Sequence, residues 1–224
     1  MTENQTVSIW RLIAIPALIT LAVTLLRLTG ELEHWGMPFF GNKAGGEGAI
    51  VGITWLPIIF GPWFALKLMK AGSGWRSAKS ATGWLLAGLV LFVVSGFAGE
   101  TFVRHNLTLA FLFFEGMLIA AILPIFGWPS LGRTLFAYAF SARIPVLIVM
   151  YFAMRGNGGA GWGTHYDAVE SPFKHLALAQ RYFDMAIIPQ TTLWIGWTVI
   201  VGGVLGLITV AIARPGRRAV QATP

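Results

Sequence analysis

The sequence contains no cysteine, which excludes a disulfide framework, a thiolate nucleophile and a thiolate-bound metal. Charge is also scarce: Asp, Glu, Lys and Arg make up 11% of the 224 residues, whereas a typical soluble domain has about 25%. A soluble fold with so few charged side chains would leave much of its surface without polar groups. The scarcity of charge therefore predicts that lipid, rather than water, surrounds much of the chain.

Apolar residues dominate what is present, at 56% of the chain. A helix that crosses the hydrocarbon of a bilayer needs about 20 mostly apolar residues, and the runs found here are too uniformly apolar for the alternating strands of a barrel. The sequence predicts an all-α, polytopic transmembrane bundle that forms a single integral membrane domain over residues 1–224. Its six spans are expected at about 9–28, 49–68, 81–98, 107–126, 131–154 and 191–213.

The positive charge, +7 in total, lies mostly in short links between apolar runs. This pattern is typical of orientation in a bilayer rather than of nucleic-acid binding. With six spans, the basic links and both termini share one side, which the positive-inside rule makes cytoplasmic. We expect a multi-pass protein of a bacterial cytoplasmic membrane, in contact with membrane lipid. The basic residues that set this orientation are Lys67, Lys70, Arg76, Lys79, Arg133, Arg214, Arg217 and Arg218.

Three outer loops are then expected, at about 29–48, 99–106 and 155–188. The longest begins with a glycine-rich stretch at 156–161, which is typical of a flexible segment. Ser171 and Pro172 follow as a cap residue and a first-turn proline, which predicts a short helix. Its apolar residues fall on one face, so it is expected to lie on the bilayer surface or over the bundle, or alternatively to pack on its own loops.

Two charged residues interrupt the apolar runs. Glu115 lies midway along the fourth predicted span and Arg143 lies near the middle of the fifth. A charge at bilayer depth needs a partner or water, and a rise of about 1.5 Å per residue places the two at similar depth on neighbouring spans. We expect an ion pair, which is either a structural link that fixes helix register or, alternatively, part of a proton or substrate site.

All four histidines fall in the predicted outer loops, together with several acidic residues. Imidazole and carboxylate groups are ligands for divalent metals and also perform acid–base chemistry. Glu31 and His34 have the spacing of helical di-metal sites, but only one copy is present. The alternative is that hydrocarbon excludes histidine, which then collects in loops. The candidate outer polar or metal cluster comprises Glu31, His34, Glu100, His105, His165 and His175.

Small residues and prolines mark two further features. Gly202 and Gly206 have the spacing that allows two membrane helices to approach closely. Pro57 and Pro62 remove backbone donors from the second predicted span, which predicts a kink or a break there. The glycine pair is expected to serve packing within the bundle.

Three classes of function remain, in the order that the sequence favours. The first is an accessory or structural unit of a membrane complex, with other subunits or a second copy as partners. The second is a small transporter or channel that uses Glu115 and Arg143. The third is a membrane-embedded enzyme with an outward-facing His/Glu site, which is the least favoured because no catalytic motif is present. No motif indicates a cofactor.

Overall fold

A computed structural model describes residues 8–46, 48–103 and 105–213 of the chain. Within these residues the protein is helical and contains no β-strand, which confirms the predicted all-α class. The basic residues Arg214, Arg217 and Arg218 lie outside the described residues. The α-helices are α1 (Ile9–Leu32), α2 (Leu56–Lys70), α3 (Ala78–Phe102), α4 (Leu107–Ile122), α5 (Pro124–Gly127), α6 (Pro129–Arg155), α7 (Leu178–Tyr182), α8 (Ile188–Thr191) and α9 (Leu193–Ala213).

Five helical segments in the described part of the chain are long and apolar enough to cross a membrane. They are Ile9–Leu32, Ala78–Phe102, Leu107–Gly127, Pro129–Arg155 and Leu178–Ala213. The structure therefore supports a membrane-embedded bundle. The first four segments lie close to predicted spans, whereas the last begins at Leu178, well before the predicted span at 191–213. The ends differ because helices α1 and α3 continue beyond their apolar runs, so that Glu31 and Glu100 lie on helices and not in loops.

The predicted second span differs from the observed helix. Helix α2 has 15 residues and begins at Leu56, with Pro57 in its first turn, where proline is favoured. Pro62 lies inside the helix, which continues past it to Lys70. At about 1.5 Å per residue it is about 22 Å long, which is shorter than the hydrocarbon core of about 30 Å. Residues 49–55, predicted to be part of this span, form turns and bends instead.

Helix α2 packs one face against α9 and α6, while Ile58 and Ile59 on its other side are exposed. Phe64 and Ala65 are fully buried in this contact. The two glycines of the α9 packing motif face α2: a Cβ atom at Gly206 would lie 3.0 Å from the carbonyl oxygen of Gly61, and one at Gly61 would overlap the backbone of Gly202. Small residues on both helices therefore bring the two backbones together.

Replacing Gly61 with alanine is expected to destabilise the bundle, because the new methyl group has no space against the α9 backbone. Overpacking of this kind costs about 1–3 kcal/mol, which would lower the thermal unfolding midpoint in detergent. Gly83→Ala on α3 is the matched control, since a methyl group there would meet no packed neighbour within 4 Å and alanine is a better helix former than glycine. Equal midpoints for the two variants would contradict the close α2–α9 contact.

The bundle has two distinct ends. The loop end is formed by residues 33–46, 48–55 and 156–177. There Asn42 Nδ2 donates to the Gly163 carbonyl at 3.3 Å, and Trp197 Nε1 on α9 donates to the Thr54 carbonyl at 2.9 Å. At the basic end, Trp128 Nε1 donates to the Ser73 carbonyl at 2.9 Å. The basic residues of that end are Lys67, Lys70, Arg76, Lys79 and Arg133.

The segment before the last span differs from the predicted surface helix. Ser171–Phe173 forms only a 3₁₀ turn, and the helix starts later, at Leu178, because Ala177 has an extended backbone conformation. From Leu178 the chain runs through α7, a π-helical turn at Phe183–Ile187, and α8 into α9. This segment belongs to the last apolar stretch and not to a separate helix in the loop.

Candidate functional site

A cavity of about 290 Å³ lies at the loop end of the bundle. Helices α1, α4, α6, α8 and α9 form its walls, together with parts of both loop segments. Most of its lining is apolar, as is typical of small-molecule sites that fix their ligand through a few polar groups. The polar and charged residues that line it are Thr24, Thr54, Arg27, Arg143, His165, Tyr166, Glu170, Asp184 and Gln190.

A buried network of charges ties the two loop segments to α1 beside this cavity. Arg27 Nε donates to Glu31 Oε1 at 2.8 Å across one helical turn, and Arg27 Nη2 donates to the carbonyls of Gly41 and Gly46 at 3.2 Å each. The backbone N–H of His165 donates to Glu31 Oε2 at 2.8 Å, and its Nδ1 lies 2.7 Å from both carboxylate oxygens. Glu31 is 5% exposed, so these neighbours, rather than water, balance its charge.

The imidazole of His165 is the titratable ring in this network. Burial lowers the pKa of its imidazole, and the nearby charge of Arg27 acts in the same direction, while Glu31 and Asp167 oppose the shift. A neutral ring that donates from Nδ1 to Glu31 fits both the short contact and the lowered pKa. We therefore assign the Nδ1–H tautomer.

The stability of the protein is expected to fall when the pH is lowered from 7.5 to about 5. Below a pKa of about 6.5 the unfolded chain protonates His165, whereas the folded protein binds that proton only at a lower pH. Over this window the unfolded state holds more protons, so stability rises with pH. The His165→Asn variant keeps an N–H donor but does not titrate, and its unfolding midpoint should vary less with pH. An unchanged pH profile in that variant would contradict the assignment.

Arg143 on α6 differs from Arg27 in having almost no partners. It is 4% exposed, and the one hydrogen bond that it makes to a described residue runs from Nη1 to Gln190 Oε1 at the long distance of 3.4 Å. Its Nε is buried without a hydrogen-bond partner among the described residues. The ring of Trp194 lies 5.0 Å from the guanidinium carbon, which supplies a cation–π contact. Within the described ranges, this guanidinium is therefore a buried charge without an anionic partner at the wall of the cavity.

Asp184 is a buried acid of the cavity, but it does not neutralise Arg143. Both of its carboxylate oxygens accept from Gln180 Nε2, at 2.9 Å each. Asp184 lies in the π-helical turn, a feature that is frequent at functional sites. Sequence reasoning missed Arg27, Asp184 and Gln190, although polar residues next to or within apolar stretches were a signal that could have found them.

The structure does not bring Glu115 and Arg143 together. Glu115 is on the exposed face of α4, and it forms no ion pair with any described residue. Its neighbours on that face, Leu112 and Ile119, are 65% and 54% exposed. Gln190 and Trp194, and not Glu115, lie beside Arg143. Glu115 is on a face of α4 that points away from α6.

The six outer residues predicted as a polar or metal cluster do not form one group. Glu31 and His165 are joined as described above, whereas His34, Glu100, His105 and His175 are exposed at separate positions. Across the described ranges, no three histidine or acidic side chains come together as metal ligands would. A metal centre therefore receives no support from this arrangement.

Comparisons with protein-family models, with curated proteins and with solved structures find no match to this chain. Function is consequently inferred from the cavity and from the charges around it.

Proposed function

We propose that this protein is a small membrane transporter that binds its substrate in the cavity at the loop end. The observation that carries the proposal is Arg143, a buried guanidinium that lines the cavity with one long hydrogen bond and no carboxylate partner among the described residues. A charge in such a place is costly unless something binds it, and charged residues inside membrane spans commonly mark substrate pathways. A purely structural role would be better served by an apolar side chain.

The interrupted last span supports transport in particular. Between Leu178 and Leu193 the helix changes to a π-helical turn, restarts at α8 with Pro189 in its first turn, and restarts again at α9. Gln190 and Trp194, the two neighbours of Arg143, lie on either side of the last interruption. Broken helices that line a substrate site are a recurring device of transporters, because the helix ends and the unwound backbone between them can bind substrate or ions.

The test exploits the absence of cysteine. Val146 lines the cavity, so a Val146→Cys variant is expected to react with a membrane-impermeant methanethiosulfonate reagent. Labelling from both sides of oriented vesicles supports alternating access. Labelling from the loop-end side alone, or no labelling, contradicts transport. Val94→Cys is the matched control, because Val94 is 58% exposed on the outer surface of α3 and hydrocarbon should shield it from the aqueous reagent.

A second candidate function is that of an accessory unit in a membrane complex, and the exposure of Glu115 favours it. Glu115 lies among exposed apolar residues near the middle of the Leu107–Gly127 segment. A charged side chain at the bilayer centre costs about 2.5–3.5 kcal/mol on insertion scales. A partner helix that supplies a basic or hydrogen-bonding group to this face would remove that cost.

Co-purification in mild detergent tests this second candidate. If a partner covers α4, the wild-type protein should retain it and the Glu115→Leu variant should lose it, while Glu100→Leu, at an exposed helix end, should retain it. Disulfide formation by Ile119→Cys alone would identify the partner as a second copy of this chain. Identical co-purification from all three proteins would contradict a partner held by Glu115.

For topology, we propose six crossings, with α2 and the turns before it forming the second. Both termini would then lie at the basic end, facing the cytoplasm, in a bacterial cytoplasmic membrane. The lysine and arginine residues at that end support this orientation. Reporter tags fused to the two termini should give the same cytoplasmic signal, and opposite signals would overturn the six-span arrangement.

A further inference from the structure

The two arginines of the cavity differ in whether they can accept a ligand. Arg27 is engaged by Glu31 and by two backbone carbonyls. Among the described residues, Arg143 donates only from Nη1, toward Gln190. Gln190 is itself oriented by its amide nitrogen, which lies 3.8 Å from Met150 Sδ, so its carbonyl oxygen points to Arg143. A ligand that enters the cavity therefore meets a guanidinium with unused donors at Arg143.

The nitrogen of Arg143 that is left for a ligand is Nη2. Nε is buried and has no hydrogen-bond partner in the described part of the chain, so a ligand in the cavity does not reach it. Nη1 donates to Gln190, and Nη2 makes no hydrogen bond to a described residue. A carboxylate oxygen would accept from Nη2 and balance the charge of the guanidinium, which a hydroxyl or an amine cannot do.

The charges around the cavity disfavour a ligand with more than one negative charge. Asp184 and Glu170 line the same cavity as Arg27 and Arg143, and buried Glu31 lies directly behind Arg27. A dianion such as phosphate would meet this acidic surplus after pairing with a single guanidinium. A monoanion would neutralise Arg143 without adding a second charge that lacks a partner.

The remaining walls select for an apolar body behind the charged head. Phe111, Phe114, Val146 and Leu193 line the cavity, and the lining as a whole is mainly apolar. Burying a methylene group contributes about 0.8 kcal/mol, so a hydrocarbon chain or ring would supply much of the affinity while Arg143 fixes the head.

We infer that the cavity binds a monocarboxylate with an apolar tail or ring, held by Nη2 and the positive charge of Arg143. This assignment names the substrate class of the proposed transport site and rests on that proposal. Two kinds of monocarboxylate fit this description: a water-soluble aromatic or short-chain acid, and a fatty acid from the surrounding bilayer.

The test measures binding to the full chain in lipid nanodiscs with probes of equal length but different heads. Octanoate, octan-1-ol and octylamine are titrated while the thermal unfolding midpoint and the tryptophan fluorescence are followed; a Trp194→Phe variant identifies the signal next to Arg143. We expect octanoate to bind at least tenfold more tightly than the other two, and inorganic phosphate to have no effect. Binding of benzoate added to the buffer would identify a water-soluble acid as the ligand. Binding of oleate incorporated in the bilayer would identify a fatty acid.

Variants at Arg143 complete the test. Arg143→Gln should lose the preference for octanoate, and Arg143→Lys should keep only part of it because the ammonium group is more strongly hydrated than a guanidinium. Arg155→Gln, at the exposed end of α6, is the matched control and should bind like the wild type. Equal binding of octanoate and octan-1-ol, or an unchanged preference in Arg143→Gln, would overturn the carboxylate assignment while leaving a ligand cavity. If no probe changes the midpoint or the Trp194 signal, both this assignment and the proposed transport site fall.

Discussion

Replacing Glu31 with leucine is expected to cost about 3–5 kcal/mol of unfolding free energy, the range found when one partner of a buried ion pair is removed. The carboxylate accepts from Arg27 Nε, from the backbone N–H of His165 and from the His165 ring. Without it, the Arg27 charge is left buried with only carbonyl partners, and the segment around His165 loses its attachment to α1. Thermal or denaturant unfolding in detergent should show a large drop in stability.

The matched control for that experiment is Glu33→Leu. Glu33 follows α1 directly, two residues after Glu31, but it is exposed. Surface substitutions of this kind usually change stability by no more than about 0.5 kcal/mol. A double variant, Arg27→Met with Glu31→Leu, should recover part of the loss because no unpaired charge remains. Similar losses for Glu31→Leu and Glu33→Leu would mean that the buried network contributes little.

Replacing Arg143 with methionine is expected to have the opposite effect and to raise stability by about 1–3 kcal/mol. Arg143 is buried with one long hydrogen bond and an Nε that no described residue satisfies, and exchanging buried charges for apolar side chains is often stabilising by this amount. Methionine has a similar length and adapts to irregular space. We expect a higher unfolding midpoint together with loss of ligand binding, as at other sites where function opposes stability.

Arg27→Met provides a comparison within the same cavity. The exchange of arginine for methionine is the same as at Arg143, but here it removes the cation that pairs with buried Glu31 at 2.8 Å. We therefore expect Arg27→Met to lower the stability of the protein. Opposite signs for the two arginines would separate the structural one from the one retained for binding. If Arg143→Met is as destabilising as Arg27→Met, Arg143 supports the fold and is not retained for a substrate.

Local composition predicts most of the helices but not their detailed ends. The apolar run predicted at 107–126 corresponds to the observed segment Leu107–Gly127, because apolar length is a property of consecutive residues. The second span is predicted at 49–68, whereas α2 starts at Leu56. Hydropathy cannot distinguish an apolar turn from an apolar helix, and residues 49–55, which form turns, are themselves mostly apolar.

The candidate site is predicted only in part, because its contacts join distant residues. The sequence singles out Arg143 as a charge inside a span, but its expected partner is Glu115 and the structure gives Gln190, 47 positions away. Equal depth on neighbouring helices is not sufficient for a pair. The direction in which each helix faces also matters, and α4 turns Glu115 toward the outside of the bundle.

The sequence by itself determined that this chain is a bundle of apolar helices, since few charges and long hydrophobic runs leave no other way to satisfy the backbone in lipid. Only the tertiary structure decided which polar side chains meet. His165 reaches Glu31 across 134 positions, and Arg143 is left with donors that no described residue uses beside a cavity. The physical reason is that hydrophobicity fixes how deep a residue lies, whereas packing fixes the rotation of each helix and therefore the partner of each charge.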